Sequence, residues 1–260
     1  MRARAAAAAW ALALAGLLGL AGVRAEVPVS IGYRVVATYP HDPQAYTQGL
    51  VYAGGALYES TGLYGRSSVR RVDLASGRIL AARPLAPQHF GEGLTAIGER
   101  LIQLTWRSGT AIVYSRANLR PLGQFRYATE GWGLTHDGRH LIMSDGSDTL
   151  YFLDADRFTE VRRVKVHDAS GPVRSLNELE YIGGSVFANV WQSSRIVRID
   201  PASGRVTGFV DLSALTDRMR GEPGTDVLNG IAYIPGSGRV LVTGKRWPSL
   251  FAIELVERDP

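Results

Sequence analysis

Five times along this chain a short apolar run opens on a polar or aromatic residue, turns near glycine or aspartate, and comes straight back. The openings are Gln48-Gly49-Leu50, Glu92-Gly93-Leu94, Trp132-Gly133-Leu134, Asn177-Glu178-Leu179 and Asn229-Gly230-Ile231, separated by 44, 40, 45 and 52 residues. Further β-branched and aromatic runs fill each interval, such as SSVRRVDL and RILAARPL in the first and TLYFLD and EVRRVKV in the third. Short strands at a period near 45 residues, with no long helix, are the pattern of a β-propeller blade. The expected fold is therefore all-β, a five-bladed β-propeller. A pair of β-sandwiches is the alternative, but a sandwich has no reason to repeat a motif at this period.

The last unit has three strands where the others have four. An orphan strand pattern at Tyr33 to Tyr39 (YRVVATY) can supply the fourth, so that the N-terminal strand joins the last blade and closes the ring. Closure removes the free sheet edges that an open stack would expose. The widest spacing contains a Gly/Pro-bearing insertion from Asp211 to Asp226, with room for one helical turn.

Residues 1–25 read as an address. Arg2 and Arg4 precede an apolar run from Ala5 to Leu20, and Val23-Arg24-Ala25 suits a signal peptidase. Sixteen apolar residues broken by Gly16 and Gly19 are short for a membrane span of about 20, which leaves an uncleaved anchor as the weaker reading. The expectation is an exported protein, periplasmic or secreted, with residues 26–260 as a single domain and no stable membrane association after cleavage. The absence of cysteine suits export. The net charge of +5 falls to +2 without Arg2, Arg4 and Arg24, and the basic residues form no run, so nucleic acid is not an expected partner.

In a propeller the first strand of every blade lines the central axis, and equivalent positions converge at one end. The converging set is Gln48, Glu92, Trp132, Asn177 and Asn229. The ends of the returning strands add Glu59, Trp106, Asp145, Asn189, Trp191 and Lys245. Large side chains fill any propeller axis, so one such residue says little. Here Trp106, Trp132, Trp191 and Trp247 all fall at or beside these rings, as do three of the four asparagines. Together they read as an aromatic pocket with a few polar groups at its base. Lys245 adds a second hint. The chain has two lysines, Lys165 and Lys245, and otherwise uses arginine, so a compact point charge is wanted where a guanidinium fork would differ.

The runs YTQGL, FGEGLT, QLTW, EGWGLT, SDGS, LNELEY, ANVW, LNGIAY and TGKRWP, in this order, resemble the glutamine cyclotransferase family of plant and bacterial type. The resemblance spans Tyr33 to Leu255. It implies a five-bladed propeller that converts the N-terminal glutamine of peptides or proteins into pyroglutamate with loss of ammonia, without metal or other cofactor. Glu92 matches the family's acid/base. Gln48, Trp106, Trp132, Asn177, Trp191 and Lys245 match its active-site residues. Tyr46 stands where phenylalanine is expected, keeping an aromatic wall and adding a hydroxyl.

That chemistry suits the residues. Ring closure is intramolecular, so holding a folded conformer supplies much of the catalysis, and the tryptophans can wall it in. Glu92 is the carboxyl at a cassette opening, placed to carry a proton from the amine to the departing nitrogen. Burial would raise its pKa and Lys245 would lower it. Lys245, Gln48 and Asn177 are candidate donors to the developing oxyanion. Two rivals remain. A lactonase-like, metal-dependent propeller hydrolase would use Glu92, Asn177 and Asn229 as ligands, with three tryptophans and a lysine as poor company for an ion. A non-catalytic peptide-binding propeller needs neither Glu92 nor Lys245. The histidines show no zinc-type pairing; His136 and His140 flank a turn and are expected to face solvent, and His89 is given at most a minor part. The protein is expected to be a monomer.

Overall fold

The computed structural model describes residues 27–256, so the leader reading falls outside the described residues. The described residues are all-β apart from one short helix. It begins with β1 (Val29–Pro40), then β2 (Thr47–Ala53), β3 (Ala56–Thr61), β4 (Ser68–Val72) and β5 (Ile79–Pro84). The second repeat gives β6 (Gly91–Ile97), β7 (Arg100–Thr105), β8 (Thr110–Ser115) and β9 (Pro121–Arg126), and the third β10 (Leu134–His136), β11 (His140–Ser144), β12 (Thr149–Asp154) and β13 (Glu160–Lys165). A small hairpin, β14 (His167–Asp168) with β15 (Gly171–Pro172), precedes β16 (Leu176–Ile182), β17 (Ser185–Val190), β18 (Arg195–Ile199) and β19 (Val206–Asp211). After helix α1 (Ser213–Arg220) come β20 (Leu228–Ile234), β21 (Arg239–Gly244) and β22 (Ser249–Val256).

Each of the first three repeats forms its own four-stranded sheet in chain order. The N-terminal strand pairs antiparallel with β22, from Gly32 against Val256 to Pro40 against Ser249, as expected for the missing fourth strand. It also does something the sequence did not suggest. Val29 to Ile31 pair parallel with Gly208 to Val210 of β19, joining the fourth and last repeats into one eight-stranded sheet. The insertion holds a two-turn helix rather than a single turn, its Leu215 and Met219 buried against the last repeat's core.

The apolar residues lie in seams between successive repeats. Val51, Tyr58 and Val69 pack on Leu94, Leu101 and Tyr114; Ile102 and Leu104 pack on Leu134 and Leu141; Phe152 packs against Leu179 and Val186. Phe187 and Val210 meet Ile231 and Val242. A further seam brings Leu241 and Ala252 of the last repeat back onto Leu50 and Leu57 of the first. Each fully buried Val, Leu or Phe contributes about 1.5–3 kcal/mol, so burial in the seams dominates the stability.

At the centre, β2, β6, β10, β16 and β20 touch in succession, and β20 touches β2. The cassette glycines permit this. A Cβ on Gly49 would lie 2.4 Å from the Leu94 nitrogen, on Gly93 2.5 Å from the Leu134 nitrogen, and on Gly133 2.0 Å from the Asn177 oxygen. In the fourth repeat the glycine slot is occupied by Glu178, wholly buried. Its carboxylate reaches across the centre to accept N–H bonds from Leu50 at 3.2 Å and Ile231 at 2.8 Å. Glu180, one strand step outward on the same face, accepts from Tyr233 N at 2.8 Å. Burial pushes its carboxyl up to about 8, against hydrogen bonds that act the other way.

Two outcomes follow. Glu178→Ala strands two buried backbone donors and should lower unfolding free energy by about 2 kcal/mol or more in urea titration. For Glu180 the folded state holds the proton more tightly than the unfolded chain, with its ordinary 4.5. Its contribution is therefore full below about pH 4.5 and lost as pH rises toward about 8. Melting temperatures of Glu180→Gln relative to the parent should become steadily more favourable between those limits.

Candidate active site

Four of the cassette openings coincide with breaks in strand register. The pairing of β2 with β3 skips between Thr47 and Gly49, β6 with β7 between Gly91 and Leu94, β16 with β17 between Leu176 and Leu179, and β20 with β21 between Leu228 and Ile231. Bulges re-aim side chains that a regular pleat would send to a sheet face. Gln48, Glu92, Asn177 and Asn229 all lie inside these irregularities. Trp132 lies just ahead of its strand, its N–H bonded to the Ser144 carbonyl.

A cavity of about 270 Å³ is lined by Tyr46, Gln48, Leu63, Phe90, Glu92, Trp106, Trp132, Asn177, Trp191 and Lys245. Tyr46, Gln48, Glu92, Trp106, Trp132, Asn177, Trp191 and Lys245, all named from the sequence, thus share one space. Asn229 does not line it. Fully buried behind, its Nδ2 donates to the Thr47 carbonyl at 3.0 Å and to Gln48 Oε1 at 3.1 Å. Gln48 Nε2 in turn donates to Glu92 Oε1 at 2.9 Å. The carboxamide of Gln48 is therefore occupied on both sides and holds Glu92. A wider groove of about 520 Å³ runs along the helical insertion and contains none of the cassette-opening residues.

Glu92 is 4% exposed. Burial drives its carboxyl well above the ordinary range; Lys245 opposes this, Glu130 adds to it, and the Gln48 hydrogen bond opposes it. Of the two effects opposed in the sequence reading, burial wins. Lys245 is equally buried, and burial lowers its pKa while Glu92 and Asp226 pull it back up. Its ammonium stands 4.9 Å from the centre of the Tyr46 ring. Burial, then the Asp226 carboxylate, push the Tyr46 hydroxyl up to about 12. Asn177 presents a buried Oδ1 with no partner within the protein.

The aromatic walls interlock. Phe90 meets Tyr46 at 6.2 Å and Trp106 at 5.6 Å, both edge to face, and Trp132 meets Trp191 perpendicularly at 5.6 Å. Trp132 rests on Gly146 of the SDGS turn, where a Cβ would lie 2.6 Å from the ring and φ is +80°. Trp191 is 39% exposed and forms the rim. Trp247 belongs elsewhere. It is 1% exposed, packs on Phe251 and donates to the Asp226 carbonyl.

The other sequence candidates have structural employment. Glu59 accepts from His41 at 2.9 Å and Thr47 at 2.7 Å and faces Arg70 at 3.4 Å. Burial would raise its carboxyl, but His41 first and then Arg70 outweigh burial and hold it at about 2. Asp145 braces its own turn through Ser147 and Tyr151, and Asn189 accepts from Gly230 N. His136 and His140 are half-buried rather than solvent-facing, and neither lines the cavity. His89 bonds Ser108 in a separate hollow. Sequence reading passed over Phe90 and Glu130, although both sit in the quoted runs FGEGLT and EGWGLT, and Leu63, which carries no sequence signal.

The chain is similar to known proteins over most of its length. A glutaminyl-peptide cyclotransferase of Arabidopsis thaliana is 48% identical over 225 residues, spanning 85% of this chain and 70% of the relative. The crystal structure of Myxococcus xanthus glutaminyl cyclase superposes with a TM-score of 0.84 at 41% identity, covering 89% of this chain and all of that one. The family model described as glutamine cyclotransferase matches residues 8–255. The chain belongs to the glutamine cyclotransferase family.

Proposed function

We propose that the protein is a glutaminyl-peptide cyclotransferase that closes the N-terminal glutamine of peptides or proteins to pyroglutamate and releases ammonia. The observation that carries this is Glu92, buried in an aromatic cavity, tied to Gln48 and facing Lys245. The cavity lies just under the usual 300–1,000 Å³ of ligand pockets, a size for one terminal residue with the rest of the peptide outside. Trp106, Trp132 and Trp191 compact the glutamine side chain so that its δ-carbon lies beside its own α-nitrogen. Attack by the neutral amine forms the C–N bond of the five-membered ring. Glu92 takes the proton released by that nitrogen and delivers it to the amide nitrogen, whose bond to carbon then breaks to give ammonia. Burial raises its pKa above the ordinary carboxyl range, toward the amine whose proton it takes, which eases exchange in both directions. Lys245 stabilises the transient oxyanion. Asn177 Oδ1 accepts an N–H from the substrate. Tyr46 and Phe90 complete the wall, and Asn229 orients Gln48.

We further read the repeats as five blades of one propeller domain, residues 26–260, supported by the seams between successive repeats and by the return of the last onto the first. Residues 1–25 are taken as a leader for export to the periplasm or beyond, and the exported domain as a monomer acting on peptides or proteins. Among the described residues no helix is long and apolar enough to cross a membrane.

The experiment is ammonia release from a glutaminyl dipeptide amide, with pyroglutamate detected by mass. Glu92→Gln should fall by at least about 10²-fold in kcat with little change in melting temperature. Lys245→Arg should also lose about 10²-fold, because the larger fork places its donors elsewhere. Normal turnover in folded Glu92→Gln would end this mechanism. The reaction is proposed to need no metal, since the partners of the acid/base are an amide and a cation. Turnover should survive exhaustive EDTA treatment; loss restored by calcium or zinc would favour a metal-dependent hydrolase-like site.

A further inference from the structure

Glu130 does not line the cavity, yet two of its tryptophans end on it. Glu130 Oε2 accepts from Trp106 Nε1 at 2.7 Å and from Trp132 Nε1 at 3.0 Å. Its other oxygen accepts from Arg107 Nε at 2.9 Å, and the Arg107 guanidinium lies 3.8 Å over the Trp106 ring. One carboxylate thereby bridges two aromatic series, Tyr46–Phe90–Trp106 on one side and Trp132–Trp191 on the other.

An indole can donate a hydrogen bond but not accept one. In a cavity built to hold an amide, a loose indole N–H is a hazard. It would seek the substrate's carbonyl oxygen or Glu92 itself, competing with the groups that act on them. Turning both N–H edges onto an acceptor outside the lining leaves carbon surface toward the substrate. We infer that Glu130 is a positioning residue for cyclisation, pinning Trp106 and Trp132 by their N–H edges so that the glutamine side chain meets two fixed apolar walls. This rests on the cyclotransferase reading of the cavity.

Glu130 also acts on the acid/base at a distance. The charged and titratable groups that interact with Glu92 are Lys245, Glu130, Tyr46 and Tyr127. Among them Glu130 supplies the negative charge that adds to burial in raising the Glu92 pKa. Its own carboxyl stays below the ordinary range: burial would raise it, but the bonds from Trp132, Arg107 and Trp106 and the Arg107 charge outweigh burial. A role confined to stability would leave the pH profile of turnover unmoved.

The test uses the full chain and compares Glu130→Ala with Glu130→Gln in kcat, KM, pH profile, tryptophan emission and melting temperature, with the glutaminyl dipeptide amide as substrate. Glu130→Ala should lower kcat/KM by about 10- to 100-fold through lost positioning, mainly in kcat, with a shifted emission. Glu130→Gln keeps an acceptor oxygen for the indoles and should recover most of kcat. Its acid limb should move to lower pH, because Glu92 has lost a negative neighbour. Unchanged kcat and KM in folded Glu130→Ala, with or without a lower melting temperature, would overturn the positioning role. Should Glu130→Ala not fold, Glu130→Met fills the space without accepting a hydrogen bond and decides between the same outcomes. Absence of ammonia release by the parent protein would instead remove the cyclotransferase reading. Emission unmoved by either variant would then remove the pinning as well.

Discussion

The organisation of this molecule depends on how closely its inner strands approach at the centre. Backbone meets backbone there with no space for a Cβ at Gly49, Gly93 or Gly133. A strand packed so tightly cannot keep a regular ladder with its own neighbour throughout. Register breaks fall beside Gly49 and Gly93, and Gln48 and Glu92 ahead of them are released from the pleat, whereas Trp132 ahead of Gly133 precedes its strand. The close approach and the turning of Gln48 and Glu92 into the cavity are therefore linked in geometry. Glu178 shows the rule by departing from it. In the one repeat without a glycine, the side chain crosses the centre and satisfies N–H groups of two other repeats, replacing steric closeness with hydrogen bonds.

Burial alone does not decide what a carboxylate does here. Glu59, Glu92 and Glu180 are all within a few per cent of complete burial or close to it. Glu59 has His41 and Arg70 in contact and a hydroxyl donating to it, and it is held at about 2. Glu180 has neutral donors and no cation among its influences, and it rises to about 8. Glu92 lies between in company, with Lys245 pulling down, Glu130 pushing up and one amide bonded to it, yet burial still carries it upward. A buried carboxyl in contact with cations is held low, while one whose burial outweighs its partners is raised.

Much of this was legible in the sequence because repetition carries information that single motifs lack. The period near 45 puts Gln48, Glu92, Trp132 and Asn177 in equivalent positions, and they do share one cavity. The orphan strand Tyr33 to Tyr39 was matched to the last repeat by counting strands, and Val35 pairs with Ile253. What failed was depth. Periodicity puts Asn229 in register with the others but cannot say that its amide is spent on Thr47 and Gln48 behind the lining. Glu59 occupies an equivalent place on a returning strand, but His41 and Arg70, distant in sequence, claim it. Glu130 and Phe90 stood inside quoted motifs and were missed because they flank the repeated slot rather than occupy it. The parallel pairing of Val29 to Ile31 with β19 lies beyond the pattern, since a strand's second edge leaves no mark on its residues.

The use of lysine rather than arginine at position 245 has a physical reason in the same site. Lys245 sits where β21 has just ended, its backbone N–H bonded to Val227 O and its carbonyl accepting from Asp226 N. The next residue, Arg246, has φ +60° and donates its N–H to Ala45 O at 2.6 Å. The main chain is thus fixed on both sides of the cation. Both cations address the Tyr46 ring, Lys245 at 4.9 Å and Arg246 at 5.6 Å, but Lys245 alone of the two lines the cavity. A buried ammonium beside an aromatic wall has a lowered pKa, restored in part by Glu92 and Asp226. It is therefore a charge whose strength depends on its partners. Guanidinium, charged at any working pH and demanding a planar set of acceptors, would be insensitive to them. The proposed reaction has Glu92 gain and lose a proton, which calls for a neighbouring cation that can respond to that change. Lysine is the cation that can.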